Sequence, residues 1–265
     1  MTKLIDDFYK NLLTEFEGRT RDNPYFHVSD LSRICPRAVF YSRKYNVPFR
    51  QKQKLARPVV LAFAYGIMIQ KLLSRYSSYL ISKYVCPRCG HVYYLSYGDW
   101  ETIKCNKKYL FLDEYRVKLE AKGFKLVGHI DSLYTEHGKI YIAEIKSISS
   151  KQFEELKEPL FDHVFQVLTY LWMFNRKKVK MDEGLKRFKV ERDRAYILYF
   201  KKDFQNFEVK KFMVKKNEYG LEERIKNLLV SLVNPDESSP RICNSPMSPD
   251  ARNCRFREIC FEGDK

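Results

Sequence analysis

The sequence has no long apolar segment, and nowhere does it approach the about 18 consecutive apolar residues of a membrane-spanning helix. Residues 1–17 carry Asp6, Asp7, Glu15 and Glu17 among their apolar positions, which a secretory signal peptide does not. No internal repeat is present. We therefore expect an intracellular, cytoplasmic protein that does not interact with a membrane.

Acidic residues are the minority among the charged ones, with 33 Asp and Glu against 49 Lys and Arg, which gives a net charge of +16. Such an excess favours polyanionic partners, because binding to a phosphate backbone releases condensed counterions. A generic lysine-rich surface is the alternative. Charge alone does not distinguish DNA from RNA.

A disulfide framework is not expected, because an intracellular chain keeps its thiols reduced and seven cysteines would leave one unpaired. The cysteines fall into two groups, which favours two metal sites. The middle group contains Cys86, Cys89 and Cys105, and the group from the two ends contains Cys35, Cys243, Cys254 and Cys260.

The pattern of apolar residues predicts an α/β chain. Its 265 residues, 45% of them hydrophobic, are enough for one compact domain with an insertion. The predicted helices cover residues 4–16, a segment capped by Ser29 or Asp30 that carries Cys35, and residues 58–82, 160–175 and 217–233. The predicted strands cover 124–130 and 140–147, joined as a hairpin with its turn at 136–139, and 195–200 and 207–214.

Acidic and basic residues stand on an otherwise apolar predicted strand. Glu144 and Lys146 share one face of it, because alternate side chains of a strand point the same way. A hairpin would bring Asp131 close to Glu144, and two converging carboxylates repel each other unless a cation lies between them. Mg²⁺ or Mn²⁺ suits such an oxygen site, with the Ile145 carbonyl as a further ligand and Lys146 positioning a water. An ordinary ion pair of Lys146 with either carboxylate is the alternative.

Gln166 and Tyr170 are four residues apart on the helix predicted at 160–175 and so lie on one face of it. Either side chain could contact a phosphate or the attacking water, and Tyr170 could stack on a base. An ordinary helix surface with an interfacial tyrosine is the alternative.

Three motifs in this order, Gly128-His-Ile-Asp131, Glu144-Ile-Lys146-Ser and Gln166-x-x-x-Tyr170, resemble the RecB-like branch of the PD-(D/E)XK nucleases. Cys35-Pro-Arg and Cys254-Arg-Phe-Arg-Glu-Ile-Cys260 resemble the CRISPR-associated iron–sulfur exonucleases and their archaeal viral relatives. The resemblance implies a restriction-endonuclease-like core, a mixed sheet flanked by helices. It also implies a [4Fe–4S] cluster on Cys35, Cys243, Cys254 and Cys260, with buried unliganded thiols or a zinc ion as the alternatives.

Two positions depart from the pattern of this family. Its long helix usually carries Gly-x-x-x-His, where the His is a metal ligand, and here Gly66 is followed by Gln70. Ten residues separate Cys243 from Cys254 where the family usually has Cys-x-x-Cys. The first departure predicts weaker metal binding or a changed metal preference, and the second an enlarged loop at the cluster.

The segment Cys86-Pro-Arg-Cys89-Gly90 has the pattern of a zinc knuckle, because a glycine after the second cysteine lets backbone amides turn toward sulfur. Cys105 is a third candidate ligand and His91 a candidate fourth. We expect a structural zinc module inserted before the nuclease hairpin, or a degenerate module without metal.

These observations favour an Mg²⁺- or Mn²⁺-dependent DNA exonuclease that acts on single-stranded or free DNA ends. The resemblance implies CRISPR spacer acquisition, with adaptation proteins as partners, as its setting. A catalytically weak DNA-end-binding scaffold subunit is the second hypothesis, because of Gln70. A redox protein is the third, but it leaves Asp131, Glu144 and Lys146 without a role. The expected parts are a helical part at 1–82, the zinc insertion at 83–120, the nuclease core at 121–233 and the cluster tail at 234–265.

Overall fold

A computed structural model describes residues 3–17, 25–48, 56–105, 109–121, 124–203 and 205–262. Within this part of the chain, no helix is long and apolar enough to cross a membrane. The helices are α1 (Lys3–Glu17), α2 (Pro36–Lys44), α3 (Arg57–Tyr76), α4 (Ser150–Glu155), α5 (Phe161–Phe174), α6 (Glu183–Arg187), α7 (Leu221–Val233), α8 (Pro249–Arg252) and α9 (Arg257–Glu262), with 3-10 turns at Val28–Arg33 and Tyr97–Thr102. The strands are β1 (Phe26–His27), β2 (Leu80–Val85), β3 (Val92–Leu95), β4 (Phe111–Asp113), β5 (Tyr115–Ala121), β6 (Phe124–Ile130), β7 (Ser132–Glu136), β8 (Lys139–Ile148), β9 (Val179–Met181), β10 (Arg194–Lys201) and β11 (Val209–Lys215).

The strands of the described ranges form two mixed sheets. The larger has the order β11-β10-β8-β7-β2-β3, with β4 also paired to β2, and the smaller has the order β1-β6-β5-β9. In the larger sheet β8 and β10 are parallel, whereas β7 pairs with β8 in the antiparallel sense. The predicted α/β fold, mixed sheets flanked by helices, is therefore confirmed.

Helix α5 lies in the main core, and its residues from Val164 to Phe174 are all buried. The same apolar cluster contains side chains of both sheets, including Ile142 of β8. On the opposite face of β8, Tyr141, Ala143 and Ile145 pack in a second cluster with Ile69 of α3. Helices therefore cover both faces of the larger sheet, and the predicted alternation of side chains along β8 is confirmed.

The prediction of one long helix at 58–82 is wrong at the C-terminal end. Helix α3 ends at Tyr76, and β2 begins at Leu80. Strand β2 pairs with β7, and the buried Ser82 hydroxyl hydrogen-bonds that of Ser132 at 2.8 Å. An apolar run of this length fits a helix or a buried strand equally well. Here Leu80–Val85 form a strand because they pair with neighbouring strands of the sheet.

The predicted hairpin is correct at its turn and wrong in its first strand. Strands β7 and β8 form the hairpin, with left-handed backbone at His137 and Gly138 in the turn. Strand β6, predicted as the first strand, pairs instead with β5 in the smaller sheet. Asp131 is therefore the single residue between the end of β6 and the start of β7, where the chain passes from one sheet to the other.

Candidate active site

Asp131 and Glu144 are brought together by the change of sheet at residue 131. The carboxylate of Asp131 accepts a hydrogen bond from the backbone N–H of Ile145, with 2.7 Å between Oδ2 and the nitrogen. Asp131 is 9% exposed and Glu144 is 3% exposed. The two acidic residues of the predicted motif therefore lie side by side at the edge of the core.

The two oxygens of Glu144 have different surroundings. Oε1 lies 2.6 Å from Nζ of Lys146 and accepts a hydrogen bond of 2.8 Å from Nε2 of Gln166. Oε2 is buried and has no hydrogen-bond partner among the described residues. A buried oxygen with unused lone pairs is costly. The Glu144–Lys146 ion pair, the alternative to a metal site, is present, but it leaves one oxygen of the carboxylate available to another ligand.

Helix α5 supplies the polar support for Glu144. Gln166 Nε2 also lies 2.9 Å from the hydroxyl of Tyr170, which in turn donates to the backbone carbonyl of His129 at 2.6 Å. Both side chains are buried, so this chain of hydrogen bonds fixes their orientation. Gln166 and Tyr170 therefore hold Glu144 and the end of β6 in place, and the alternative of an ordinary helix surface does not fit their burial.

Helix α3 contributes Gln70, the residue that stands in the place of the expected histidine. Its Nε2 lies 3.3 Å from Oδ1 of Asp131. One helical turn earlier, Gly66 lies against β8, and a Cβ atom there would be 3.0 Å from Oγ of Ser147. The glycine thus allows the close approach that brings Gln70 to the carboxylates.

Burial dominates the electrostatics of the site. It raises the pKa of Asp131, with a further contribution from the charge of Glu144, and it raises the pKa of Glu144 itself. Burial alone would lower the pKa of Lys146, but the charges of Glu144 and Asp131 raise it overall. Two buried carboxylates next to a single ammonium group form an environment that a divalent cation would stabilise.

Sequence reasoning missed Glu114. The register of β5 and β6 pairs Tyr115 with Ile130, so Glu114, just before β5, and Asp131, just after β6, lie at the same end of this strand pair. Its carboxylate lies 3.1 Å from Nδ1 of His129, and its charge raises the pKa of Asp131 and Glu144. Glu114 belongs to no recognisable motif, and only the strand register reveals it.

The geometry fits a divalent metal ion that prefers oxygen ligands. Carboxylates of Asp131 and Glu144 are the ligand types of Mg²⁺ and Mn²⁺. The unpartnered Oε2 of Glu144 is the atom that such an ion would satisfy. Lys146 keeps 24% of its side chain exposed, whereas the side chain of Glu144 is 3% exposed.

The three cysteines of the middle group are close together. The sulfur atoms of Cys86, Cys89 and Cys105 all lie within 4.8 Å of one another. Backbone N–H groups of Cys89 and Arg88 hydrogen-bond the Cys86 sulfur and lower the pKa of that thiol to about 7. His91, the predicted fourth ligand, is not part of this group of ligand atoms.

The four cysteines from the two ends of the chain also lie near one another. Cys35 precedes α2, and it packs with Cys254 and Cys260 in one apolar cluster. Burial raises the pKa of the Cys243 thiol, and the charges of the other three cysteines raise it further. Among the described residues, only the middle three cysteines have sulfur atoms that all lie within 4.8 Å of one another, so the four sulfurs from the chain ends are spaced more widely.

One of three comparisons with known proteins identifies a family. A family model described as the PD-(D/E)XK nuclease superfamily matches residues 91–261, more than half of the chain. The solved structure of SSO0001 aligns with 89% of this chain and 88% of its own, with a TM-score of 0.46 and 18% sequence identity. No curated protein matches the chain.

Proposed function

The chain belongs to the PD-(D/E)XK nuclease superfamily, whose members use divalent metal ions, and on that premise we propose that it is an Mg²⁺- or Mn²⁺-dependent exonuclease acting at DNA ends. The observation that carries the proposal is the state of Glu144. Its side chain is buried, Lys146 and Gln166 occupy one of its oxygens, and the other has no partner in the described structure.

Each residue of the site has a distinct proposed role. Asp131 and Glu144 would hold the metal ion, with the backbone carbonyl of Ile145 as a further ligand. The bound ion would lower the pKa of a coordinated water and neutralise charge on the scissile phosphate. Lys146 would orient the attacking water and stabilise charge on the phosphate as it is attacked.

Gln166 and Tyr170 would act by positioning other residues. Gln166 donates to Glu144 and to Tyr170, and Tyr170 donates to the carbonyl of His129. This arrangement restrains the Glu144 carboxylate while a phosphate group enters the site. Such supporting hydrogen bonds are worth about 10- to 100-fold in metal affinity or activity.

Gln70 is proposed as a weak additional ligand or as a donor to Asp131. Its amide nitrogen faces Asp131, and a half-turn of the amide would present Oε1 to a cation instead. A neutral amide oxygen is a weaker electron-pair donor than the imidazole nitrogen expected at this position, which suits a reduced metal affinity. Gln70 also supports the second candidate function, a DNA-end-binding scaffold subunit with little catalysis.

We propose a [4Fe–4S] cluster on Cys35, Cys243, Cys254 and Cys260. The support is that these four thiols lie near one another but are spread more widely than the middle three. Four thiolates around a multinuclear cluster are further apart than around one zinc ion. The cluster would tie α2 to the C-terminal segment, where Arg37 already donates to the Ser239 carbonyl at 2.9 Å.

The proposed substrate is DNA, single-stranded or with free ends. The net charge of +16 supports a nucleic-acid substrate. The proposed setting is the processing of DNA ends for CRISPR spacer acquisition together with adaptation proteins. It rests on the resemblance of the cysteine-containing segments at the two ends.

The test is cleavage by protein purified without oxygen. Linear single-stranded and double-stranded DNA, labelled at either end, is compared with closed circular DNA in Mg²⁺, Mn²⁺ or EDTA. We expect metal-dependent shortening of linear DNA from one end and no cleavage of circles. Cleavage of circles would contradict the exonuclease proposal. Binding of linear DNA without cleavage in either metal would favour the scaffold function.

A further inference from the structure

The middle cysteines lie on a small module built onto one edge of the larger sheet. Cys86 directly follows β2, Cys89 lies in the next turn, and Cys105 comes after the 3-10 turn Tyr97–Thr102. The turn is closed by a hydrogen bond of 2.8 Å from the Gly90 N–H to the Cys86 carbonyl. Gly90 has φ of 68°, which glycine adopts without strain. The backbone therefore holds Cys86 and Cys89 in a fixed relation.

The spacing of the sulfur atoms fits one tetrahedral metal ion. Zinc–thiolate bonds of about 2.3 Å place tetrahedral sulfurs roughly 3.8 Å apart. Here Cys89 Sγ lies 3.5 Å from Cys105 Sγ, and all three sulfurs lie within 4.8 Å of one another. Two backbone N–H groups, of Cys89 and Arg88, already point to the Cys86 sulfur. Such donors stabilise a thiolate, the form that binds metal.

The apolar core of the module is small, which gives a metal ion a structural purpose. Its buried members are Tyr84, Leu95, Trp100 and Ile103. A core of this size provides little stability by itself, and a bound metal adds folding free energy where apolar burial is limited. A zinc ion bound by the turn that holds Cys86 and Cys89 and by the segment of Cys105 would join these two segments into one unit.

The described residues supply no fourth ligand of the usual types next to the three sulfurs. In the described ranges, no His, Cys, Asp or Glu joins the three cysteines in the group of ligand atoms. Residues 106–108, next to Cys105, are Asn-Lys-Lys and add none of these types. Instead, the Tyr93 hydroxyl donates to Cys105 Sγ at 2.9 Å, and the His91 ring packs 4.4 Å from the Tyr93 ring. Cys89 is exposed, so the group is open on its side toward solvent.

We propose that Cys86, Cys89 and Cys105 bind one Zn²⁺ through three thiolates, with an exchangeable water as the fourth ligand, and that Tyr93 supports the Cys105 thiolate by a hydrogen bond. The site differs from the closed four-ligand sites of structural zinc modules. Its open position can accept a single donor atom of another molecule. The His91 side chain is not a ligand in this arrangement.

The module is fixed against the nuclease core, so the zinc site has a defined position relative to it. The Tyr94 hydroxyl donates to Asp182 at 3.0 Å, and the Tyr94 ring stacks on Tyr115 with 5.8 Å between centroids. Gly184 allows this contact, because a Cβ atom there would lie 2.4 Å from the Tyr94 ring.

The test is X-ray absorption at the zinc edge of the full-length protein, together with zinc and iron analysis. Zinc absorption is independent of any iron present, and the wild-type protein suffices for it. We expect one zinc per chain with three sulfur ligands and one oxygen or nitrogen ligand. A shell of four sulfurs, or a protein without zinc after purification in its presence, would overturn the proposal.

Two variants separate the parts of the proposal. His91→Ala should keep its zinc and its absorption spectrum, and a loss of zinc or a changed first shell would show that His91 closes the site. Cys105→Ser should lose zinc and keep its iron content, whereas Cys260→Ser should keep zinc. A zinc content unchanged by Cys105→Ser would place the metal elsewhere. The zinc contents and the zinc absorption spectra depend neither on nuclease activity nor on an iron–sulfur cluster, so they stand apart from the proposed function.

Discussion

Gly128 lies so close to Tyr170 that a Cβ atom on it would come within 2.5 Å of Cε1 of the tyrosine ring. The two residues belong to different motifs, 42 positions apart in the sequence. Their contact brings the end of β6, and with it Asp131, against the helix that carries Gln166. Gly128 of the first motif is therefore needed to leave room for the ring of Tyr170 of the last motif.

Gly128→Ala should destabilise the protein by about 1–3 kcal/mol, because an added methyl group in a packed core forces its neighbours to move. We also expect a loss of cleavage, since Tyr170 and Gln166 would be displaced. Urea denaturation measures the first effect. Gly98→Ala is the control, because nothing lies within 4 Å of a Cβ atom there. Equal stability of the two variants would contradict the close approach.

Gln70→His should strengthen the metal site. The imidazole would stand next to Asp131, and its nitrogen is a stronger electron-pair donor to a metal ion than a neutral amide oxygen. We expect half-maximal cleavage at a several-fold lower Mn²⁺ concentration than in the wild type. A titration of the cleavage rate with Mn²⁺ measures this. An unchanged or higher requirement for Mn²⁺ would mean that residue 70 does not approach the metal.

Glu114→Gln should weaken the attraction of the site for cations. The Glu114 carboxylate faces His129 and acts electrostatically on Asp131 and Glu144. We expect a several-fold higher Mg²⁺ concentration for half-maximal cleavage and a near-normal rate at saturation. The exposed Glu155→Gln on α4 is the matched control. If both variants reach half-maximal cleavage at the same Mg²⁺ concentration as the wild type, Glu114 has no part in the site.

His163 should make stability depend on pH. Burial, helped by the charge of Lys146, lowers the pKa of His163 to about 4. The unfolded chain, with a pKa of about 6.5, then binds the proton more readily. The contribution of His163 to the free energy of unfolding is therefore fully present above about pH 6.5, and it is lost as the pH falls toward about 4.

The size of this effect follows from comparison with His163→Gln. Between pH 7 and pH 5 we expect the wild type to lose about 1–2 kcal/mol more unfolding free energy than the variant. Urea denaturation gives the unfolding free energies of the wild type and the variant at both pH values. A parallel loss in wild type and variant would show that His163 is not the group responsible.

Much of the site could be predicted because it depends on local periodicity. The alternation along β8 places Glu144 and Lys146 on one face, and the four-residue spacing on α5 places Gln166 beside Tyr170. Both follow from the geometry of a single element. The helix at 160–175 was likewise correct to within its capping residues, Leu160 and Asn175.

The parts that could not be predicted depend on contacts between distant segments. Nothing in Ile130-Asp131-Ser132 indicates that the chain changes sheets there, because the apolar pattern continues on both sides. The strand Leu80–Val85 follows Ser77 and Ser78, which are weak helix-stop signals, and its pairing with β7 is a long-range event. Glu114 becomes visible only through the register of β5 against β6. The predicted domain boundaries and the roles of the site residues remain predictions.

The most direct test of the nuclease proposal is the single-turnover cleavage rate of end-labelled DNA by Glu144→Gln beside the wild type. Glutamine keeps the size of the side chain but removes the charge that would bind the metal. Glu223→Gln, on the exposed surface of α7, is the control for the loss of one carboxylate. We predict that Glu144→Gln still binds DNA but does not cleave it in Mg²⁺ or Mn²⁺, whereas Glu223→Gln cleaves normally. Cleavage by Glu144→Gln at the wild-type rate would contradict a metal-dependent reaction at this site.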